Sequence, residues 1–169
     1  DDGKIPLAQT IGAGVVIDVR RSAEAERDYL LRVGDLQAWE KRFGRIPKGA
    51  IVLMHSGWGK YWGDRKRYFG TDAPGNTQDL HFPGFSKEAA EFLVKQRGVK
   101  AVGLDTPSID HGPSRDFIAH QIFGGANVPI FENVASMERL PAKGATIYAI
   151  PMKIKGGSGA PLRSFALLP

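Results

Sequence analysis

Apolar residues fall along this chain in two rhythms. Short, mostly unbroken runs at Val15–Val19, Ile51–Met54 and Val99–Leu104 are strand-sized and largely β-branched. Such runs suit strands covered on both faces rather than helices. Between them, apolar positions recur at helical spacing. Gly34-Asp35 opens a helix with Asp35 as its N-cap, Leu36, Trp39 and Phe43 keep one face apolar, and Gly44 closes it. Ser86 caps a second helix, with Glu88 near its positive end and Ala89, Ala90, Leu93 and Val94 facing inward until Gly98. Helices alternating with buried strands predict mixed α/β layers.

The second half is more broken. A short helix is expected around Arg115 to Phe123, then a strand at Val128–Phe131 ending at Glu132-Asn133. Leu140–Gly144 reads as a turn, Ala145–Ile154 as a strand and Ser164–Leu168 as its partner, joined through glycine-rich Lys155–Pro161. From Gly59 to Gly84 no periodicity survives among Gly, Pro, aromatic and charged residues. A loop of that length in a compact domain is expected to serve as a lid or pocket wall.

Composition narrows the class. At 169 residues, with 42% apolar and 24% charged, the chain suits one globular domain with a real core. No apolar run reaches transmembrane length, so no membrane partner is expected. There are no cysteines, which excludes a disulfide framework, a cysteine nucleophile and a thiolate metal site. The cytoplasm is the default compartment. The net charge of +5 raises the question of nucleic acid. The densest basic run, Lys60 to Tyr68, mixes its charges with aromatics and reads as a solvated loop beside a pocket, so nucleic acid is not the expected partner.

Candidate chemistry is sparse. The histidines are His55, His81, His111 and His120. His55 and His111 follow strand ends and His81 sits in the long loop, where α/β folds build their sites. His120 and Glu132, twelve residues apart, pair an imidazole with a carboxylate as zinc or manganese prefers. Their spacing is no local metal motif, and a helix histidine bonded to a carbonyl beside a surface glutamate is the alternative. Asp105 and Asp110, just past a buried strand, either orient a histidine or bind metal, or else serve as turn and cap residues, which is the default reading. Gly156-Gly157-Ser158-Gly159 offers amides to an anion but lacks the Lys-Ser/Thr ending of a P-loop, and reads better as a strand connection. No G-x-S-x-G elbow occurs.

Several segments, taken in order, resemble one family. They are Ile51–Trp58, ending in Ser-Gly-Trp; Phe82–Ser86 with Ala89-Ala90; Val99–Asp110, the most specific; Ala119-His120; Ile130–Asn133; Leu140–Gly144; and Ile150–Arg163. Together they resemble the cyclase family, which includes kynurenine formamidase and isatin hydrolase, with Asp110-His111-Gly112-Pro113-Ser114 closer to the isatin-hydrolase branch. The resemblance implies an α/β, swivelling β/β/α single domain with a mixed sheet over residues 1–169, and a homodimer. It implies a divalent metal, zinc or manganese, held in part by His120 and Glu132. Trp58, His81 and His111 would contact a small-molecule substrate, an amide, N-formyl amide or cyclic imide, hydrolysed by metal-activated water.

One departure matters. The family's His-x-Gly-Thr-His-x-Asp stretch, which supplies its main ligands, does not occur in this sequence, and Asp1 to Leu7 resembles the family's segment just downstream of that stretch. The expectation is therefore the larger, C-terminal part of such a hydrolase, without its N-terminal segment. Two further readings stand beside it: a non-catalytic scaffold or binding subunit that has lost the metal site, and a split protein with the signature on another chain.

Overall fold

The computed structural model describes residues 5–169, so the likeness over Asp1–Leu7 falls mostly outside the described residues. In chain order the elements are β1 (Ile11–Asp18), α1 (Arg20–Ala25), β2 (Leu30–Leu31), α2 (Val33–Phe43), β3 (Ile51–His55) and α3 (Arg65–Phe69). Next come β4 (Gly84–Phe85), α4 (Lys87–Glu91, continued as a π-helix over Phe92–Arg97), β5 (Ala101–Leu104), α5 (Ile118–Gly125), β6 (Ile130–Phe131), β7 (Lys143–Pro151) and β8 (Leu162–Leu167). Six strands form one mixed sheet in the order β6-β5-β3-β1-β7-β8, while β2 and β4 pair apart. The first four of that order are parallel, and β7 and β8 are antiparallel additions.

The apolar runs are buried on both faces because each face has its own cover. Val15, Ile17, Val52, Met54, Val102 and Leu104 point toward the helices and meet Leu36 and Trp39 of α2, Ala89 and Ala90 of α4, Leu93 of its π extension, and Ala119 and Phe123 of α5. Phe85 meets Phe123 edge to face at 5.7 Å. Val16, Ile51, Leu53, Ala101 and Phe131 point the other way, onto Met137, Ala145, Ile147 and Ala149. Fully covered side chains such as Leu36 and Leu93 each contribute roughly 1.5–3 kcal/mol of transfer free energy. A near-buried ion pair ties α2 to the π segment, with Arg97 donating to Glu40 at 2.6 and 2.7 Å. Among the described residues no helix is long and apolar enough to cross a membrane.

Several local expectations are corrected. Arg32, not Asp35, is the N-cap of α2; Asp35 sits three residues in, where its carboxylate accepts the Arg32 amide at 2.8 Å and the Tyr29 hydroxyl at 2.9 Å. This is the returning half of a capping box. The long loop contains α3 and a 3-10 turn over Trp58–Tyr61, folded around their own cluster of Trp58, Tyr68 and Phe82. Its cations rest on its own rings: Lys60 and Arg67 over Tyr61, and Arg65 over Phe69. The mixture of charge and aromatics thereby finds a structural use. α5 starts at Ile118 rather than near Arg115, and β6 keeps only Ile130 and Phe131. The Gly156–Gly159 segment lies in the exposed connection between β7 and β8.

Candidate metal centre

In a parallel sheet, strand ends and the starts of the following helices share the carboxyl edge. Here Asp18 ends β1 in register with His55 of β3, Asp105 follows β5, and Glu132 follows β6. α5 returns from the β5 end, so its first turn lies at the same edge. That topology brings His120 and Glu132 together: Nε2 and Oε1 are 3.4 Å apart.

Asp110 fixes this pair. Its buried carboxylate accepts the amides of Ala119 at 2.8 Å and His120 at 3.2 Å, and bonds the His120 ring through Nδ1 at 2.6 Å. The residue thus caps α5 from outside the helix and sets the ring's orientation at once. Burial alone would push the Asp110 carboxyl up; the bonds from the His120 ring and the two amides outweigh it and hold it below the ordinary range. The His120 pKa is raised to about 9, first by Asp110 and then by Glu132, against its own burial. An imidazole between two carboxylates makes a place that favours a cation. Glu132 is held in turn, with Oε1 accepting the Ile109 amide at 3.0 Å.

The residues fit a divalent ion in part. With Nδ1 committed to Asp110, Nε2 is the nitrogen that would ligate, a metal there displacing the proton that the two carboxylates otherwise hold on it, in the carboxylate–histidine arrangement that metal sites use. A separation of 3.4 Å is long for a hydrogen bond. It matches two donors sharing one tetrahedral ion at about 2.1 Å from each, which stand roughly 3.4 Å apart. Two donors fall short of the three protein ligands of a catalytic zinc. Among the described residues no group of three or more His, Cys, Asp or Glu could hold a metal.

Asp105 serves a neighbouring turn. It accepts from the Ser56 amide and hydroxyl at 2.9 and 2.6 Å and from the Trp58 amide at 2.8 Å. Tyr68 donates to Asn133 at 2.8 Å, linking the aromatic cluster to the residue after Glu132. Burial, with the charges of Asp105 and Glu132 nearby, pushes its hydroxyl up and keeps it a donor. Asp110 thus orients a histidine and caps a helix, both among the readings open for it, whereas Asp105 serves the turn after β3 rather than its own. The available signal was their place directly after the apolar residues Leu104 and Ile109.

The remaining candidates are spread around this core. His111 is half-buried in the Asp110 turn. His81 is exposed and bonds Asp28 through Nδ1 at 2.7 Å. Trp58 is buried, donates its indole N–H to the Tyr68 carbonyl at 2.9 Å, and lines a cavity of about 100 Å³ with Arg27, Lys60 and Tyr61. A larger cavity, about 320 Å³, lies between α2 and α4 without any histidine and is unrelated to this chemistry. Two glycines press the long loop onto the Asp110 turn. A Cβ on Gly84 would stand 2.3 Å from the His111 amide, and one on Gly112 would stand 2.5 Å from the His81 amide.

The sequence profile of the cyclase family matches residues 2–111. The chain belongs to the cyclase family. This cyclase-family chain is 34% identical over 158 residues to an isatin hydrolase of Roseibium aggregatum, covering 91% of itself and 58% of that relative. It is 29% identical over 96 residues to a kynurenine formamidase of Bacillus cytotoxicus, covering 56% of itself and 45% of that protein. Its fold is that of solved isatin hydrolases. The isatin hydrolase A structure from Ralstonia solanacearum superposes with a TM-score of 0.93 at 36% identity, over 100% of this chain and 64% of that one. The isatin hydrolase A structure from Labrenzia aggregata gives 0.91 at 34%, over 99% and 65%. The chain thus spans about half to two thirds of the length of these relatives.

Proposed function

We propose that this protein hydrolyses the amide C–N bond of a small isatin-like cyclic imide or N-formyl amide, in a reaction that depends on zinc or manganese. One observation carries the reading: Asp110 presents His120 so that Nε2 converges with Glu132 Oε1 at 3.4 Å. The names of the relatives supply the substrate class.

His120 and Glu132 would hold the ion, with Asp110 keeping the histidine proton on Nδ1. When bound, a divalent ion polarises the scissile carbonyl and lowers the pKa of a water. The Ile109 amide steadies Glu132, and the Tyr68–Asn133 bond anchors the segment beyond it. Trp58, His81 and His111 are assigned to substrate contact on the family resemblance. Support comes from the tight approach of Gly84 and Gly112, which sets the long loop against the Asp110 turn.

The test loads the complete natural protein with manganese or zinc, then follows isatin ring opening and N-formylkynurenine deformylation by absorbance. We expect turnover of one of them, with metal bound per chain and lost in His120→Ala. Metal-loaded protein that leaves both untouched would refute the substrate assignment. Complete protein that retains no metal would favour the scaffold reading.

A further inference from the structure

Among the described residues, four that are not glycine adopt positive φ: Asn127, Asn133, Ser136 and Phe117, the last at φ 51°. Asparagine enters that region readily; a bulky aromatic does so only at a cost in backbone strain. Phe117 is also the N-cap of α5, a place where Ser, Thr, Asp or Asn usually satisfies the first amides. Asp110 has taken over that duty through the amides of Ala119 and His120. Position 117 is thereby released from capping, yet the phenylalanine does nothing evident for stability, because it is 56% exposed.

The segment nevertheless holds it firmly. Ser114 Oγ accepts the Phe117 amide at 3.2 Å and donates to Asp116 at 3.3 Å, and Arg115 donates to the carbonyl of Gln78 at 2.9 Å. The ring stands 6.4 Å from the His120 imidazole and nearly perpendicular to it, at 79°. An exposed aromatic, strained, strapped and set beside a candidate ligand is the pattern of a residue kept for what it touches.

We infer that Phe117 is a specificity-determining residue whose ring packs against the planar ring of a substrate held at His120 and Glu132. The inference rests on the proposed function and narrows its substrate class to compounds with a flat aromatic face. An acyclic aliphatic formamide gains nothing from such a surface. A ring contact of this kind is worth about two- to tenfold in affinity.

The experiment measures binding of thioisatinate, the product analogue bound in a solved isatin hydrolase, to the manganese-loaded protein by calorimetry, alongside the KM for isatin. Phe117→Asn removes the ring but tolerates the same backbone, and Phe117→Tyr keeps the ring. We expect the Asn variant to weaken thioisatinate binding about two- to tenfold, to raise KM in step with little change in kcat, and to leave manganese affinity intact, with the Tyr variant within twofold of wild type. Equal thioisatinate affinity in wild type and Phe117→Asn would overturn the assignment, as would manganese-loaded wild type that does not bind thioisatinate. If the wild type binds thioisatinate and the Asn variant weakens it, but isatin is not hydrolysed, Phe117 keeps its role and the hydrolase reading alone falls.

Discussion

Replacing Asp110 by asparagine tests the centre at its most connected point. The native carboxylate spends Oδ1 on the Ala119 amide and Oδ2 on the His120 amide and ring. Asparagine has one oxygen. If that oxygen faces Ala119, its NH2 faces the His120 ring and forces the proton from Nδ1 to Nε2, the nitrogen that would ligate. If the amide turns round, its NH2 confronts the buried Ala119 amide. Either way, one helix amide loses its acceptor. Loss of a cap contact and of a charge-assisted bond together cost roughly 2–4 kcal/mol. For a chain of 169 residues, that lowers Tm by about 4–16 °C. Metal affinity falls too, by roughly 10- to 100-fold, as for other carboxylates that orient a ligating histidine. Differential scanning calorimetry reads the first effect and manganese titration the second. Manganese affinity within twofold of wild type would refute the argument that Asp110 sets the working tautomer of His120.

Two further outcomes arise from the packing. The Arg97 bond holds the Glu40 carboxyl below its usual value against burial. The bridge therefore stabilises fully above the ordinary glutamate range and is lost as pH falls through the depressed folded value. Glu40→Gln should cost about 2 kcal/mol at pH 7 in urea denaturation and flatten the acid slope; an unchanged slope would show the pair contributes nothing. Gly84→Ala would place a methyl 2.3 Å from the His111 amide. It should destabilise by roughly 1–3 kcal/mol and weaken manganese binding by shifting the Asp110 turn, and a variant matching wild type in both would show that the close approach is not required.

The parts legible in the sequence were those fixed by local rules. The runs of β1, β3 and β5 announce doubly covered strands, and Gly44 and Gly98 close their helices with φ of 93° and 59°. What escaped depends on contacts far apart in sequence. The first residues of β1 were invisible because Ile11 and Gly12 are strand only by pairing with Tyr148 and Ile147. α3 hid in a stretch without periodicity, since its order comes from the Trp58–Tyr68–Phe82 cluster. His120 and Glu132 were legible as a candidate metal pair by residue type and family resemblance, but their spacing alone did not place them together. Twelve positions mean nothing until a parallel crossover sets a helix start beside a strand end. Asp110 was harder still, because a helix cap is sought next to its helix, and this one lies seven residues before the N-cap.

That remote cap makes readiness and nucleation one event. Until α5 has wound its first turn onto Asp110, His120 has neither its position nor its tautomer. Once the turn has formed, any cation drawn to Nε2 also discourages its fraying. Amide exchange at Ala119 and His120 should then slow when manganese is added, while α2 exchanges as before.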